Sequence, residues 1–169
     1  ELIKSAPVNY VLWLAPYSSV HPKLEGTGIR DEVMKWWDAD IPIDFVGVES
    51  IQQSDRIYME VYNKVSRHNT FIVCDESLLI KNADAKRTRR LMELSQLAEF
   101  KLILNGTPIS RNLLDVWAQM EFLSPKILNM SHAEFKNTFC EYTSIKKRFG
   151  QRWATKEFIT GYENIDYLY

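Results

Sequence analysis

Four short apolar runs, each followed by a segment with helical spacing, constrain this chain more than any other feature. The runs cover residues 10–15, 43–48, 71–74 and 101–104; the first and third are continuously apolar, whereas the second contains Asp44 and the fourth begins with Lys101. Continuous apolar runs of this length favour strands that are buried on both faces of a sheet. Their alternation with helices predicts an α/β fold, a parallel sheet with right-handed crossovers and helices on both faces.

Composition narrows the functional classes. The 169 residues are 46% hydrophobic, which suffices for one sizeable core, and the net charge of −1 gives no global attraction to nucleic acid. Two cysteines are too few for a disulfide framework and favour a reduced, intracellular protein. No apolar stretch approaches the ~20 residues of a membrane span, and no signal peptide opens the chain. We therefore predict no membrane partner.

Polar residues before the helical segments predict where the helices begin. We expect caps at Thr27, Ser54 and Asp84, and a reciprocal capping box from Ser131 to Glu134. Residues 17–20 are predicted to form a polar loop. Apolar residues cover most sides of the helix over residues 113–123, which should therefore be well buried.

The third apolar run ends at two adjacent carboxylates, Asp75 and Glu76. Open parallel sheets bind their ligands beyond the carboxyl ends of the strands. In nucleotide hydrolases, carboxylates at that position hold Mg²⁺ and activate a water molecule. A strand that simply ends in a polar turn gives the same pair, so the pair alone does not decide between these interpretations.

A second chemical motif follows the fourth run, at Gly106-Thr107-Pro108. Gly106 lets the backbone turn sharply, and the hydroxyl of Thr107 can bond a carboxylate or a phosphate-bound water. Together with the turn at Pro16, these motifs lie at three strand ends that a parallel sheet brings to one edge. Their order and separation strengthen the interpretation as a nucleotide site.

These segments resemble those of Swi/Snf-related ATPases in helicase superfamily two. Residues 75–82 read Asp-Glu-Ser-Leu-Leu-Ile-Lys-Asn and are similar to the family's Asp-Glu-Ala-His-Arg-Ile-Lys-Asn box. Residues 102–117 resemble its motif III, Leu-Leu-Thr-Gly-Thr-Pro-Ile-Gln-Asn-Asn-Leu-x-Glu-Leu-Trp. Residues 13–18 resemble motif Ia, and residues 48–50 lie where motif Ib falls. The resemblance implies the first RecA-like lobe of a P-loop NTPase, truncated at its N-terminus.

The resemblance also implies roles in ATP hydrolysis. Asp75 would hold Mg²⁺ through water, and Glu76 would position and deprotonate the water that attacks ATP. Gly106 would lie at the nucleotide, and Thr107 would couple the nucleotide site to contacts with double-stranded DNA. Contacts with the DNA backbone are expected from five residues: Tyr17, Ser18, Ser19, Lys81 and Arg111. Movement along the duplex would not separate its strands.

Two departures from the family pattern limit these expectations. Leu78 stands where the family has the His that normally links the nucleotide site to motif III, so the usual coupling route is in question. No Gly-x-Gly-Lys-Thr phosphate loop is present in these residues. We expect the chain to begin after that loop and to end before a second RecA-like lobe, which would supply an arginine finger. The isolated chain should then be inactive, and its full-length parent should be an ATPase.

We expect two regions, a truncated RecA-like lobe over residues 1–128 and a helical, basic and aromatic extension over residues 129–169. Two alternatives stay open: a restriction-type superfamily-two motor, and a degenerate lobe that binds nucleic acid or protein. Basic residues cluster within residues 81–90 and 146–156, where they form either solvated faces or phosphate contacts. Location would be cytoplasmic in a prokaryote or phage and nuclear in a eukaryote.

Overall fold

The four apolar runs form one parallel sheet, as the sequence predicts. The computed structural model describes residues 2–107, 109–110, 112–149 and 152–168. The strands are β1 (Tyr10–Ala15), β2 (Ile43–Gly47), β3 (Thr70–Asp75) and β4 (Phe100–Leu104), in the order β2-β1-β3-β4. The central strands β1 and β3 are almost completely buried, which explains their continuous apolar sequences.

Helices connect and flank these strands. They are α1 (Leu2–Ser5), α2 (Tyr17–Val20), α3 (Ile29–Met34), α4 (Val48–Gln53), α5 (Asp55–Arg67), α6 (Lys86–Leu97), α7 (Leu114–Leu123) and α8 (His132–Phe139), with 3₁₀ turns at Ser77–Ile80 and Ile165–Leu168. The larger core joins α4, α5, α6 and α7 to one face of the sheet. On the other face, Val11, Phe71 and Val73 pack with Ile3 of α1 and Trp37. Helices therefore contact both faces of the sheet, and more of them pack on the first face than on the second.

Two of the predicted helix caps are confirmed. The Oγ of Ser54 accepts the amide of Ile57 at 3.2 Å at the start of α5. Ser131 and Glu134 bond each other's amides reciprocally at the start of α8. Both caps satisfy amides that the first turn of a helix leaves without backbone partners.

The predicted caps at Thr27 and Asp84 are wrong by one residue each. The helix α3 begins after Gly28, whose amide donates to Asp31, while the hydroxyl of Thr27 donates to a backbone carbonyl before it. The helix α6 begins after Ala85, and the amide of Asp84 donates to the Oδ1 of Asn82 in the turn before the helix. In both cases the predicted cap lies in a turn that precedes the helix.

Residues 17–20 form α2 and not the loop that the sequence predicts. Pro16 stands at its N-terminus, and its carbonyl accepts the amides of Ser19 and Val20. A proline has a fixed φ, and its carbonyl can accept the amides of the residues that follow. Both properties favour one helical turn after Pro16.

An antiparallel hairpin follows α8, within the region that the sequence predicts to be helical. Its strands are β5 (Cys140–Phe149) and β6 (Arg152–Tyr162), which form a separate two-stranded sheet. The sequence shows no regular period here, because most side chains of the hairpin whose burial is described are exposed. Lys136 of α8 forms an ion pair with Glu157 of β6 and connects the hairpin to the helix before it.

Candidate nucleotide site

The three strand ends singled out in the sequence meet at one edge of the sheet. Asp75 is the last residue of β3 and lies beside Leu104, the last residue of β4. The β4 loop, defined here as residues 105–107, therefore begins next to Asp75. On the other side of β3, Leu14 pairs with Cys74, which brings Pro16 to the same edge.

The acidic pair has an unusual backbone. Glu76 has φ 51° and ψ 54°, the left-handed region that non-glycine residues rarely adopt. The Oδ1 of Asp75 accepts the amide of Glu76 at 2.9 Å. Asp75 is partly buried and Glu76 is exposed. Such a conformation costs about 1–3 kcal/mol and persists only where the surrounding structure fixes it.

The contacts that hold the next residue come from α7. Ser77 is fully buried, and its hydroxyl donates to the Oε1 of Gln119 at 2.5 Å. The side-chain amide of Asn105 donates to the same oxygen at 3.3 Å. Gln119 is also fully buried, and its Nε2 donates to the carbonyl of Asp115 at 2.8 Å. One helix side chain thus joins the loops that follow β3 and β4.

A second polar cluster surrounds Asp115. This carboxylate is 5% exposed, and its Oδ2 accepts the amide and the hydroxyl of Ser110 at 2.9 and 3.1 Å. The Nζ of Lys81 donates to the hydroxyl of Ser110 at 2.5 Å and lies 3.9 Å from Asp115. Lys81 is therefore directed toward a buried carboxylate, and its contact with DNA stays a prediction.

The burial predicted for α7 is correct only in part. Its buried residues are Asp115, Ala118, Gln119 and Phe122, whereas most of its larger apolar side chains are only partly buried. The helix turns a polar stripe toward the strand ends because donors and acceptors of the β3 and β4 loops lie there. The sequence does contain a signal for this orientation, which is the polar pair Asp115 and Gln119 at positions i and i+4 of an otherwise apolar helix.

Three of the remaining residues expected to contact DNA, Tyr17, Ser18 and Ser19, follow Pro16 at the same edge. Tyr17 and Ser18 of α2 are exposed, and Ser19 is partly buried. The amide of Tyr17 donates to Glu49 at 2.7 Å, and a Cβ at Gly47 would come within 3.0 Å of the Tyr17 Cα. Arg111, like Pro108 of the Gly-Thr-Pro turn, lies outside the described residues. The positions of these residues do not test whether they contact DNA.

The first basic cluster makes contacts within the chain. Lys86 and Arg90 of α6 both bond the carboxylate of Asp55, and Arg90 also donates to the carbonyl of Ile51 at 2.6 Å. The guanidinium of Arg90 lies 4.5 Å from the centre of the Tyr58 ring. These cations connect α6 to the helices α4 and α5, which gives them a structural role.

Metal-ligating residues do not cluster in the described part of the chain. No group of three or more His, Cys, Asp or Glu residues there could hold a metal ion by itself. Cys74 is buried beside Asp75, as expected for the last residue of the apolar run 71–74, and burial raises the pKa of its thiol to about 12. No helix among the described residues is both long enough and apolar enough to cross a membrane.

A parallel sheet that ends in an acidic pair beside a Gly-Thr loop defines the RecA-like lobe of a helicase-type ATPase. The SNF2-related domain family matches residues 32–157. The chain belongs to this family.

Individual relatives agree with that assignment. The chain is 29% identical over 141 residues to the chromatin-remodeling ATPase INO80 of Kluyveromyces lactis, covering 78% of this chain and 9% of that protein. It is 34% identical over 88 residues to the ATP-dependent DNA helicase DDM1 of Arabidopsis thaliana, covering 51% of this chain and 11% of that protein. The chain thus spans only a small part of these relatives.

A solved structure shows the same fold. The Sulfolobus solfataricus SWI2/SNF2 ATPase core in complex with double-stranded DNA matches 81% of this chain with a TM-score of 0.53 and 27% identity. The match covers 29% of that chain. The predicted RecA-like lobe is therefore confirmed.

Proposed function

We propose that this chain is part of a DNA-dependent ATPase that couples ATP hydrolysis to movement along double-stranded DNA. The observation that carries the proposal is the position of Asp75 and Glu76 at the carboxyl end of β3, beside the loop that holds Gly106 and Thr107. Ligands bind at this edge in open parallel sheets. Membership of the SNF2-related family supports ATP as the nucleotide.

The acidic pair fits a hydrated magnesium ion. One oxygen of Asp75 accepts the Glu76 amide, and the described residues place no hydrogen-bond donor on the other. A single carboxylate with one open oxygen suits Mg²⁺, which keeps several of its waters. When bound, the ion neutralises charge on the phosphates. Glu76 is exposed and would accept the proton of the attacking water.

Contacts with DNA are proposed for Tyr17, Ser18, Ser19 and Lys81, which lie near the same edge, and for Arg111, which the family resemblance alone suggests. The first three lie on α2, and the S. solfataricus ATPase core that shares this fold is bound to double-stranded DNA in its solved structure. A second RecA-like lobe of the same parent chain would close over the nucleotide and supply an arginine finger, which is worth about 10³–10⁵ in rate. We propose an intracellular location, nuclear in a eukaryote and cytoplasmic in a prokaryote or phage.

The decisive experiment replaces Glu76 with Gln in the full-length protein. Loss of the general base should lower Mg²⁺- and DNA-stimulated ATP turnover by about 10²–10⁴-fold, while ATP still binds. Glu60→Gln is the matched control, because Glu60 is an exposed acid on α5 that pairs only with Arg56 among the described residues. Turnover that survives Glu76→Gln would show that the base is assigned to the wrong residue.

The 169 residues alone should hydrolyse ATP negligibly. They contain no Gly-x-Gly-Lys-Thr sequence, whose amides and lysine would hold the triphosphate. Robust turnover by the purified chain would contradict this expectation. If the wild-type full-length protein hydrolyses no ATP, the alternative of a degenerate lobe that binds nucleic acid or protein takes its place. Leu78, where the family has His, favours that alternative.

A further inference from the structure

The side chain of Gln119 lies at the junction of the two loops that form the candidate site. It is fully buried, and so is Ser77, the residue directly after Glu76. Its Oε1 accepts hydrogen bonds from Ser77 and from Asn105, which opens the β4 loop two residues before Thr107. Its Nε2 is held by the carbonyl of Asp115, one turn earlier in α7.

We propose that Gln119 is a positioning residue that couples Glu76 to Thr107. Because its amide is fixed to its own helix, the Oε1 presents one immobile acceptor to both loops. A shift of the β3 loop would break the bond from Ser77 and leave that buried hydroxyl without its acceptor, and a shift of the β4 loop would break the bond from the partly buried Asn105. The proposal rests on the proposed function, since it assigns the coupled loops to one nucleotide site.

The backbone of Glu76 gives a second reason. Its left-handed conformation is strained for a residue with a side chain, and the bond from Ser77 to Gln119 immobilises the residue that follows it. The orientation of the Glu76 side chain therefore depends on the contact between Ser77 and α7. The distance between Ser77 and Gln119 along the chain, 42 residues, makes this a tertiary constraint.

The sequence departures of this chain fall on the same contacts. Ser77 stands where the resembling family has Ala, and Asn105 stands where motif III has Thr. The Ser77 hydroxyl and the longer Asn105 side chain both donate to Gln119, beside Leu78 at the position of the missing His. The geometry thus shows a hydrogen-bonded link between the two loops that the Leu78 side chain could not provide.

The first test measures ATP turnover of the full-length protein carrying Gln119→Leu. This change keeps a side chain of similar size and removes the shared acceptor. We expect kcat to fall about fivefold to thirtyfold, with KM for ATP within about twofold of wild type. The matched control is Thr70→Val, which removes a buried hydroxyl at the other end of β3. It should lower the unfolding temperature to a similar extent and leave kcat unchanged.

A double variant separates positioning from simple loss of stability. In Gln119→Leu the Ser77 hydroxyl is buried without its partner, so adding Ser77→Ala should restore part of the lost unfolding temperature. Turnover should stay low, because the link between the loops is still absent. Recovery of kcat together with stability would overturn the proposal, and so would a Thr70→Val variant that loses as much kcat as Gln119→Leu.

Hydrogen exchange distinguishes failure of the inference from failure of the proposed function. In the full-length protein, Gln119→Leu should accelerate exchange in peptides covering residues 75–82 and 103–110 together, and Thr70→Val should not. Faster exchange in only one of these segments, or in neither, would overturn the coupling. If the wild-type protein shows no ATP turnover, the proposed function fails, and the exchange result still decides whether Gln119 couples the loops.

Discussion

Replacing Asp115 with Ala tests whether the polar face of α7 stabilises the fold. The carboxylate is 5% exposed and accepts the amide and hydroxyl of Ser110, with Lys81 3.9 Å away. Alanine removes the carboxylate, so Ser110 and Lys81 lose this partner, while α7 still packs on the sheet. The change therefore reports the energy of this cluster more than the energy of apolar packing.

The structure sets the expected magnitude. Breaking a fully buried ion pair costs about 3–5 kcal/mol. Here Lys81 is 29% exposed and Ser110 is exposed, so water can reach both donors once Asp115 is gone. Hydrogen bonds to charged groups are worth about 1.5–3 kcal/mol. We therefore expect Asp115→Ala to lower the free energy of unfolding by about 2–3 kcal/mol, and Asp115→Asn, which keeps one acceptor oxygen, by about half as much.

Urea unfolding followed by circular dichroism measures these differences, and the unfolding temperature should fall by about 5–10 °C for the alanine variant. The matched control is Asp55→Ala, because Asp55 pairs with Lys86 and Arg90 but its side chain is 78% exposed. Exposed pairs contribute little, so this variant should lose much less stability. Equal losses in the two variants would refute the reasoning that burial decides the value of these carboxylates.

Two further predictions concern titratable groups. Burial disfavours the charge on Asp44, but hydrogen bonds from Lys64 and Tyr10 outweigh it and hold its pKa below the ordinary value. Because the folded pKa is the lower one, this stabilisation is present above the unfolded pKa of about 3.9 and is lost as pH falls through the folded pKa. The stability advantage of wild type over Asp44→Asn in urea unfolding should therefore shrink below about pH 4, and an advantage that is constant down to about pH 2 would contradict the pairing. Burial raises the pKa of Cys74 to about 12, so iodoacetamide should label this thiol only as fast as the protein unfolds. Mass spectrometry measures the labelling, and rapid labelling in native buffer would show that the Cys74 thiol is accessible in the folded protein.

The sheet could be predicted from the sequence because its two central strands are buried on both faces and its edge strands are still mostly apolar. Each run of four to six apolar residues is a sufficient signal when a strand has no solvent side, as in β1 and β3. The position of Asp75 followed from the same signal, since the first polar residue after such a run marks the strand end. Glu76, Gly106 and Thr107 could be placed at one edge for that reason alone.

The contacts of α7 could not be predicted in the same way. Its apolar composition indicated burial but not which side of the helix faces the sheet. The register is set by groups distant in the chain, such as Ser77 for Gln119 and Lys81 for Asp115. The hairpin of β5 and β6 was missed for a related reason. Its two strands pair with each other and cover little core, so no apolar period marks them.

The rotation of α7 and the geometry of the candidate site therefore depend on each other. Burying the side chain of Gln119 without partners would cost about 1–3 kcal/mol, so this face of the helix is stable only if the loops after β3 and β4 supply donors. Ser77 and Asn105 can both donate to Gln119 only while they lie side by side at the edge of the sheet. The pairing of Asp75 with Leu104 holds them there. Turning α7 by one residue would bring Met120 against the Ser77 hydroxyl and leave it without an acceptor. The same hydrogen bonds that select the helix orientation thus fix the backbone beside Glu76.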